Sequence, residues 1–206
     1  DMFPPVTAKT RTNYPQINRV DDHGVQWTEL NRGCKRGCEF CHADPNFKVF
    51  QLPEITRNKV QIIGEGILFD KDILNKIMDL GEKRVNKKVV YYGLSQGVDF
   101  RLLTGELADM MALKRFGLIN SKGNWYKGMR IAWDMGIDHE PAIKKTVDLL
   151  KEAGYVMRYC MVFVLVNWKI SYDDCLYKLS KLREWGIRID DCFWDTTKKE
   201  KFPRHW

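Results

Sequence analysis

From Val60 onward the chain alternates short β-branched or aromatic runs with segments whose apolar residues recur every three or four positions. Val60, Ile62 and Ile63 predict a strand stopped by Gly64 and Gly66, and Ile73, Ile77 and Leu80 then share one face of a helix ending near Gly81. Residues 89–92 read as the next strand. Thr104 is placed to cap a helix that carries Leu107 and Met111 and runs to Gly117. A loop rich in Gly, Asn and Ser follows over 117–128, and then a strand over 129–133. Asp138 is the expected cap of a helix with Pro141 in its first turn and Ile143, Val147 and Leu150 on one side, closed by Gly154. Residues 155–166 form the longest predicted strand. Ser171, with Asp174 three positions on, starts a helix bearing Leu176, Leu179 and Leu182 and closed by Gly186. The last strand covers 187–194.

With one more strand over 25–30, the pattern gives six strands and at least four long connecting helices. Such alternation predicts a parallel α/β sheet with right-handed crossovers. The apolar run over 161–166 fits a strand covered on both faces. A complete eight-fold barrel takes roughly 250 residues, so a chain of 206 residues suits a partial (β/α)6 barrel. That barrel is expected over 24–195, with an N-terminal extension over 1–23 and a basic C-terminal tail over 196–206.

Composition narrows this further. Hydrophobic residues make up 44% and aromatics 12%, enough for a real core, which excludes wholesale disorder. The longest apolar run, 160–166, is far below the ~18–20 residues of a membrane span, and no signal peptide is visible, so a cytoplasmic protein without membrane attachment is expected. Lys+Arg minus Asp+Glu is 34 − 27 = +7. That surplus reads either as solvated helix faces or as a basic patch for nucleic acid or an anionic small molecule. Much of it lies at Lys83, Arg84, Lys87, Lys88, Lys198, Lys199, Lys201 and Arg204, which favours solvated faces.

Of the six cysteines, Cys160, Cys175 and Cys192 fall in apolar or helical contexts and read as packing residues. The other three, Cys34, Cys38 and Cys41, form C-x3-C-x2-C on a loop directly after the first strand. Clustered cysteines without a secretory signal are metal ligands more often than disulfide partners. Three thiolates can hold three corners of an iron–sulfur cubane and leave one iron open, since full protein ligation takes a fourth cysteine. Zinc held with the adjacent His42, a redox thiol pair, and coincidental spacing are the competing readings.

This motif resembles the hallmark of the radical S-adenosylmethionine (SAM) superfamily, including the aromatic before the third cysteine, here Phe40. The resemblance covers about residues 24–195. It implies a partial barrel, a [4Fe–4S] cluster on Cys34, Cys38 and Cys41, and reductive cleavage of SAM to a 5′-deoxyadenosyl radical that takes hydrogen from an unidentified substrate. It also implies SAM contacts. Gly64, Glu65 and Gly66 stand where the family has a Gly-Gly-Glu-like segment, with Ile63 in place of its first glycine; a plain strand-to-loop turn is the other reading. Asp134 is placed near the ribose. Val166-Asn167-Trp168 replaces the glycine-containing segment usual near the adenine, so Asn167 takes that place, and Phe193 packs either against adenine or into the core. Gln96, Asp99 and Arg101 belong to a stretch similar to one in other radical SAM proteins. Arg101 is there to meet a carboxylate or phosphate, or else Asp99 and Arg101 brace the loop as a pair.

The implied partners are SAM, a donor of single electrons such as flavodoxin or ferredoxin, and the substrate. Modification of RNA or another polyanion is a subclass that the charge allows but does not favour. A non-catalytic zinc or iron–sulfur module is the alternative of a different class.

Overall fold

A computed structural model describes residues 14–41, 43–166 and 169–193. In chain order the elements are β1 (Asn18–Val20), β2 (Gln26–Glu29), β3 (Asn31–Arg32), β4 (Lys48–Val49), β5 (Lys59–Ile63), α1 (Ile73–Glu82), β6 (Arg84–Val85), β7 (Lys88–Val89), β8 (Tyr91–Leu94), α2 (Gly105–Leu113), β9 (Phe116–Ile119) and β10 (Trp125–Tyr126). Then come β11 (Arg130–Ala132), α3 (Glu140–Glu152), β12 (Met161–Val166), α4 (Tyr172–Glu184) and β13 (Arg188–Phe193).

The larger sheet has the order β1-β2-β5-β8-β9-β10, in which β2, β5, β8 and β9 are parallel and the two edge strands antiparallel. A second sheet, β11-β12-β13, is wholly parallel. A single parallel bridge between Val98 and Ile131 joins the segment after β8 to β11. The fold is therefore mixed α/β around parallel strands, and the two sheets do not close into a barrel among the described residues.

Register decides which side chains meet the helices. Val60 and Ile62 of β5 and Tyr92 and Leu94 of β8 are buried in one core with Ile73, Ile77 and Leu80 of α1. Tyr92 stacks on Phe116 at 4.8 Å, and its hydroxyl donates to the Leu80 carbonyl at 2.6 Å, so the ring is buried without orphaning its oxygen. Two expected caps are present. Thr104 Oγ1 accepts from the Leu107 amide at 3.2 Å, and Ser171 Oγ accepts from the Asp174 amide at 3.1 Å.

Four local expectations are corrected. The helix after Thr104 stops at Leu113, because Arg115 turns left-handed (φ 65°) and Phe116–Ile119 becomes a buried strand. The predicted loop over 117–128 is a β9–β10 hairpin; Gly117 has no Cβ to collide with Tyr126, and Asn120 Oδ1 accepts from the amides of Lys122 and Asn124 in the turn. Asp138 caps nothing: a 3-10 turn over Ile137–His139 precedes α3 and leaves His139 at the cap position. The strand expected over 155–166 starts only at Met161, because a 3-10 turn over Met157–Tyr159 wraps against the backbone at Gly128.

The exposed face of α4 is rotated from the expected one. Leu179 and Leu182 are buried, with Cys175 and Lys178, while Leu176 is 44% exposed. Leu182→Ala should therefore cost about 2–4 kcal/mol in urea unfolding and Leu176→Ala less than about 1 kcal/mol. Equal losses would place α4 in a different register.

Candidate functional site

Parallel strands deliver the segments after β2, β5, β8 and β11 to one end of the sheet. The first of these is the cysteine segment. It leaves β3 and returns at β4, which pair antiparallel, so its base is closed by Asn31–Val49 and Arg32–Lys48. Beneath it Arg32 is forked onto the buried Glu29 carboxylate (Nε to Oε1, 2.7 Å), and its guanidinium lies over the Phe50 ring at 5.2 Å. Gly33 then turns with φ 79°; a Cβ there would sit 2.5 Å from the Asp44 carbonyl oxygen and 2.6 Å from that of Asn46, so only glycine lets the loop close. The Cys34 amide donates to the Asp44 carbonyl at 2.8 Å across that closure.

Cys34 and Cys38 are half-buried and Cys41 is exposed. All three line one cavity of about 140 Å³, together with Phe40, Glu65, Asp99, Arg101 and Asp134. A neighbouring cavity of about 520 Å³ shares Cys38, Phe40, Arg101 and Asp134 with it, a size suited to a small-molecule ligand. Burial pushes the thiols of Cys34 and Cys38 up; at Cys34 the Arg36 amide, donating to Sγ at 3.5 Å, offsets part of this, and at Cys38 the Arg101 charge does. The Ala43 amide donates to Cys41 Sγ at 3.4 Å.

Asp99 ties the cysteine loop to the sheet. Its carboxylate accepts from Arg36 (Nη2, 2.7 Å; Nε, 3.0 Å) and from Arg101 (Nε, 2.8 Å; Nη2, 3.2 Å). Burial raises this carboxyl, but the hydrogen bonds from Arg101 and Arg36 outweigh it and hold it below the usual range. The expected Asp99–Arg101 brace is thus present, and Arg36, not foreseen, extends it to the loop. A second tie runs from Glu65 Oε2, which accepts from the Gly33 amide at 3.1 Å.

Other expected residues fall elsewhere. Gln96 Oε1 accepts from the Gly64 amide at 3.0 Å and from the Ser95 hydroxyl, so Gln96 braces the turn after β5. It lines a separate cavity of about 530 Å³ beside Glu65 and the segment from Tyr14 to Arg19. Gly64 and Gly66 give room: a Cβ at Gly64 would strike the Asn31 amide, and one at Gly66 would press on Phe69. Asn167 and His42 lie outside the described residues, as do the side chains of Phe193 and Cys192. Cys160 and Cys175 are buried, as packing residues should be.

Asp134 follows β11 and is largely buried, which pushes its carboxyl up to about 6 despite the charges of Lys178 and Arg101 and a backbone hydrogen bond at Leu165. Lys178, a charged residue on the apolar stripe of α4, is completely buried and donates to the carbonyls of Trp133 (3.0 Å) and Met135, fixing the backbone on either side of Asp134. A lysine flanked by Cys175, Leu179 and Leu182 was the available signal for that role.

Among the described residues no three His, Cys, Asp or Glu side chains stand close enough together to grip a metal ion. The donor chemistry nonetheless fits a thiolate-held cluster, since three thiols of one loop face one cavity, with amide donors to two of the sulfurs and the Arg101 cation beside the third. No helix among the described residues is long and apolar enough to cross a membrane. In comparisons with protein-family models, curated proteins and solved structures, nothing matches the chain.

Because the Asp134 carboxyl titrates near 6 in the folded chain and at 3.8 otherwise, the folded state binds more protons between these values and its stability falls as pH rises through that window. Asp134→Asn should leave stability unchanged at pH 3.5 and raise it by about 1–3 kcal/mol at pH 7.5. Denaturant titrations at both pH values check this; an equal effect at both contradicts it.

Proposed function

We propose that this chain is a radical SAM enzyme whose [4Fe–4S] cluster is held by Cys34, Cys38 and Cys41. The observation that carries the reading is the convergence of those three thiols with Phe40, Glu65, Asp99, Arg101 and Asp134 on one cavity at the strand ends. In the same reading β2, β5, β8, β11, β12 and β13 are the six strands of a partial (β/α)6 barrel, and barrel enzymes build their sites at that end.

Held by Cys34, Cys38 and Cys41, the cluster would supply the single electron for reductive cleavage of SAM into methionine and a 5′-deoxyadenosyl radical, the species that would take hydrogen from the substrate. The electron comes from a reduced flavodoxin or ferredoxin, and the substrate is not identified. The chain's own residues bind and orient. Arg101, held by Asp99 through Nε and Nη2, would present its remaining N–H groups to the methionyl carboxylate. Glu65 is the acceptor for the amino group, beside the Gly33 turn it already contacts. Asp134, on a backbone fixed by Lys178, would meet the ribose hydroxyls, and Phe40, which lines the same cavity, would help exclude water from it. Asn167 and Phe193 complete the adenine side by resemblance alone.

The protein reconstituted with iron and sulfide without oxygen, then given dithionite and SAM, should form 5′-deoxyadenosine. The Cys34→Ala, Cys38→Ala, Cys41→Ala triple variant should lose both the cluster's visible absorption and the product. Folded protein that binds zinc in place of iron and sulfide, and makes no 5′-deoxyadenosine, sinks the proposal. Arg101→Lys should keep its iron but bind SAM about 10–100-fold more weakly, the worth of a charged bidentate contact. Unchanged SAM affinity would remove Arg101 from the role given it.

A further inference from the structure

Lower on the second sheet, away from the cysteines, two arginines face a cavity of about 490 Å³. Arg130 of β11 and Arg188 of β13 both pair with Met161 of β12, one on each side, so they occupy one row on one face. At the spacing of neighbouring strands their backbones are roughly 10 Å apart. Asn120 and Ser121 from the end of the β9–β10 hairpin, with Tyr126 and Tyr159, complete the walls. The two tyrosine rings lie 5.1 Å apart, and the Asn120 amide donates to the Tyr126 hydroxyl at 3.1 Å. The cavity shares no lining residue with the cysteine cavity.

Arg130 is held but not satisfied. Its Nη1 donates to the carbonyls of Leu94 (3.3 Å) and Ser95 (3.2 Å), while its Nε is buried with no hydrogen-bond partner. A buried donor on a guanidinium left without an acceptor is costly. Burial weakens its hold on its proton; Asp190, one row up on β13, offsets part of this, and the like charge of Arg188 adds to it. No carboxylate is among the described residues lining the cavity. Two guanidinium side chains and neutral hydrogen-bonding groups therefore line a space of small-molecule size, with the unpartnered Arg130 Nε buried behind its wall.

We infer that this cavity is an oxyanion-binding site, taking the phosphate or carboxylate group of a small molecule between Arg130 and Arg188. Guanidinium forks match both groups, and Asn120, Ser121 and the tyrosine hydroxyls provide the neutral contacts. The site stands on its own geometry and is independent of the chemistry proposed at the cysteines.

Isothermal titration of the full chain at constant ionic strength with glycerol 3-phosphate, inorganic phosphate and malonate tests it. Saturable binding of at least one is expected, weakened about tenfold in Arg188→Gln, the loss of one charged contact. Lys145→Gln, an exposed charge on α3, should bind as the parent does. Tighter binding of the phosphates identifies a phosphoryl ligand, and tighter malonate a carboxylate. Arg130→Gln should act like Arg188→Gln, but since Arg130 also braces two carbonyls, Arg188→Gln decides the matter if Arg130→Gln fails to fold. No saturable binding by any of the three anions, or equal binding by Arg188→Gln and Lys145→Gln, overturns the site.

Discussion

Strand direction is the constraint on which everything else here rests. Neighbouring strands that run parallel cannot be joined by a tight turn; each connection must cross back, so every segment leaving a strand's C-terminal end emerges on the same side. β2, β5 and β8, and then β11 beyond the Val98–Ile131 bridge, obey this in chain order. Residues separated by a hundred positions, Cys34 and Asp134 among them, thereby meet on one small cavity. The β9–β10 hairpin interrupts the scheme between the two sheets: β9 pairs with the lower part of β8, and a single bridge joins the segment after β8 to β11.

Within that frame the cysteine loop is shaped by polar ties more than by apolar packing. Its base is closed by β3–β4 pairing and by the Glu29–Arg32 ion pair, its turn requires Gly33, and its outer part is drawn in by Arg36 on Asp99. Ties between partly buried charges depend on both partners being present, because removing one leaves the other desolvated and alone. Asp99 faces two guanidinia, which hold its carboxyl below the usual range, whereas Asp134, buried with less compensation, has its carboxyl pushed up to about 6. Two carboxyls on one cavity are thus set apart by their surroundings alone.

Much of this was readable in the sequence. Ile73, Ile77 and Leu80, and Ile143, Val147 and Leu150, mark helix faces that do enter the core, because their period leaves one solution. Thr104 and Ser171 announce helix starts by chemistry local to a single turn. The hairpin over 116–126 was hidden because Gly117, Asn120 and Gly123 also spell an ordinary loop, while the strand character of 116–119 comes from pairing with Tyr92 and Gly93 of β8, more than twenty positions away. Cys34, Cys38 and Cys41 stand out by spacing, and Asp99 with Arg101 by adjacency. Arg36 lay inside the motif but its partner is 63 positions away, and Lys178 was masked by reading Leu176 into the apolar face. The alignment of Arg130 and Arg188 on either side of Met161 depends on strand register, which no local pattern encodes.

Electron paramagnetic resonance of the anaerobically reconstituted, dithionite-reduced protein, recorded with and without SAM, addresses the central claim most directly. An open iron beside Cys34, Cys38 and Cys41 predicts a reduced-cluster signal that shifts when SAM is added and is absent from the triple-alanine chain. A reduced-cluster signal indifferent to saturating SAM would contradict an open iron at these cysteines, and the same signal in the triple-alanine chain would contradict their role as its ligands.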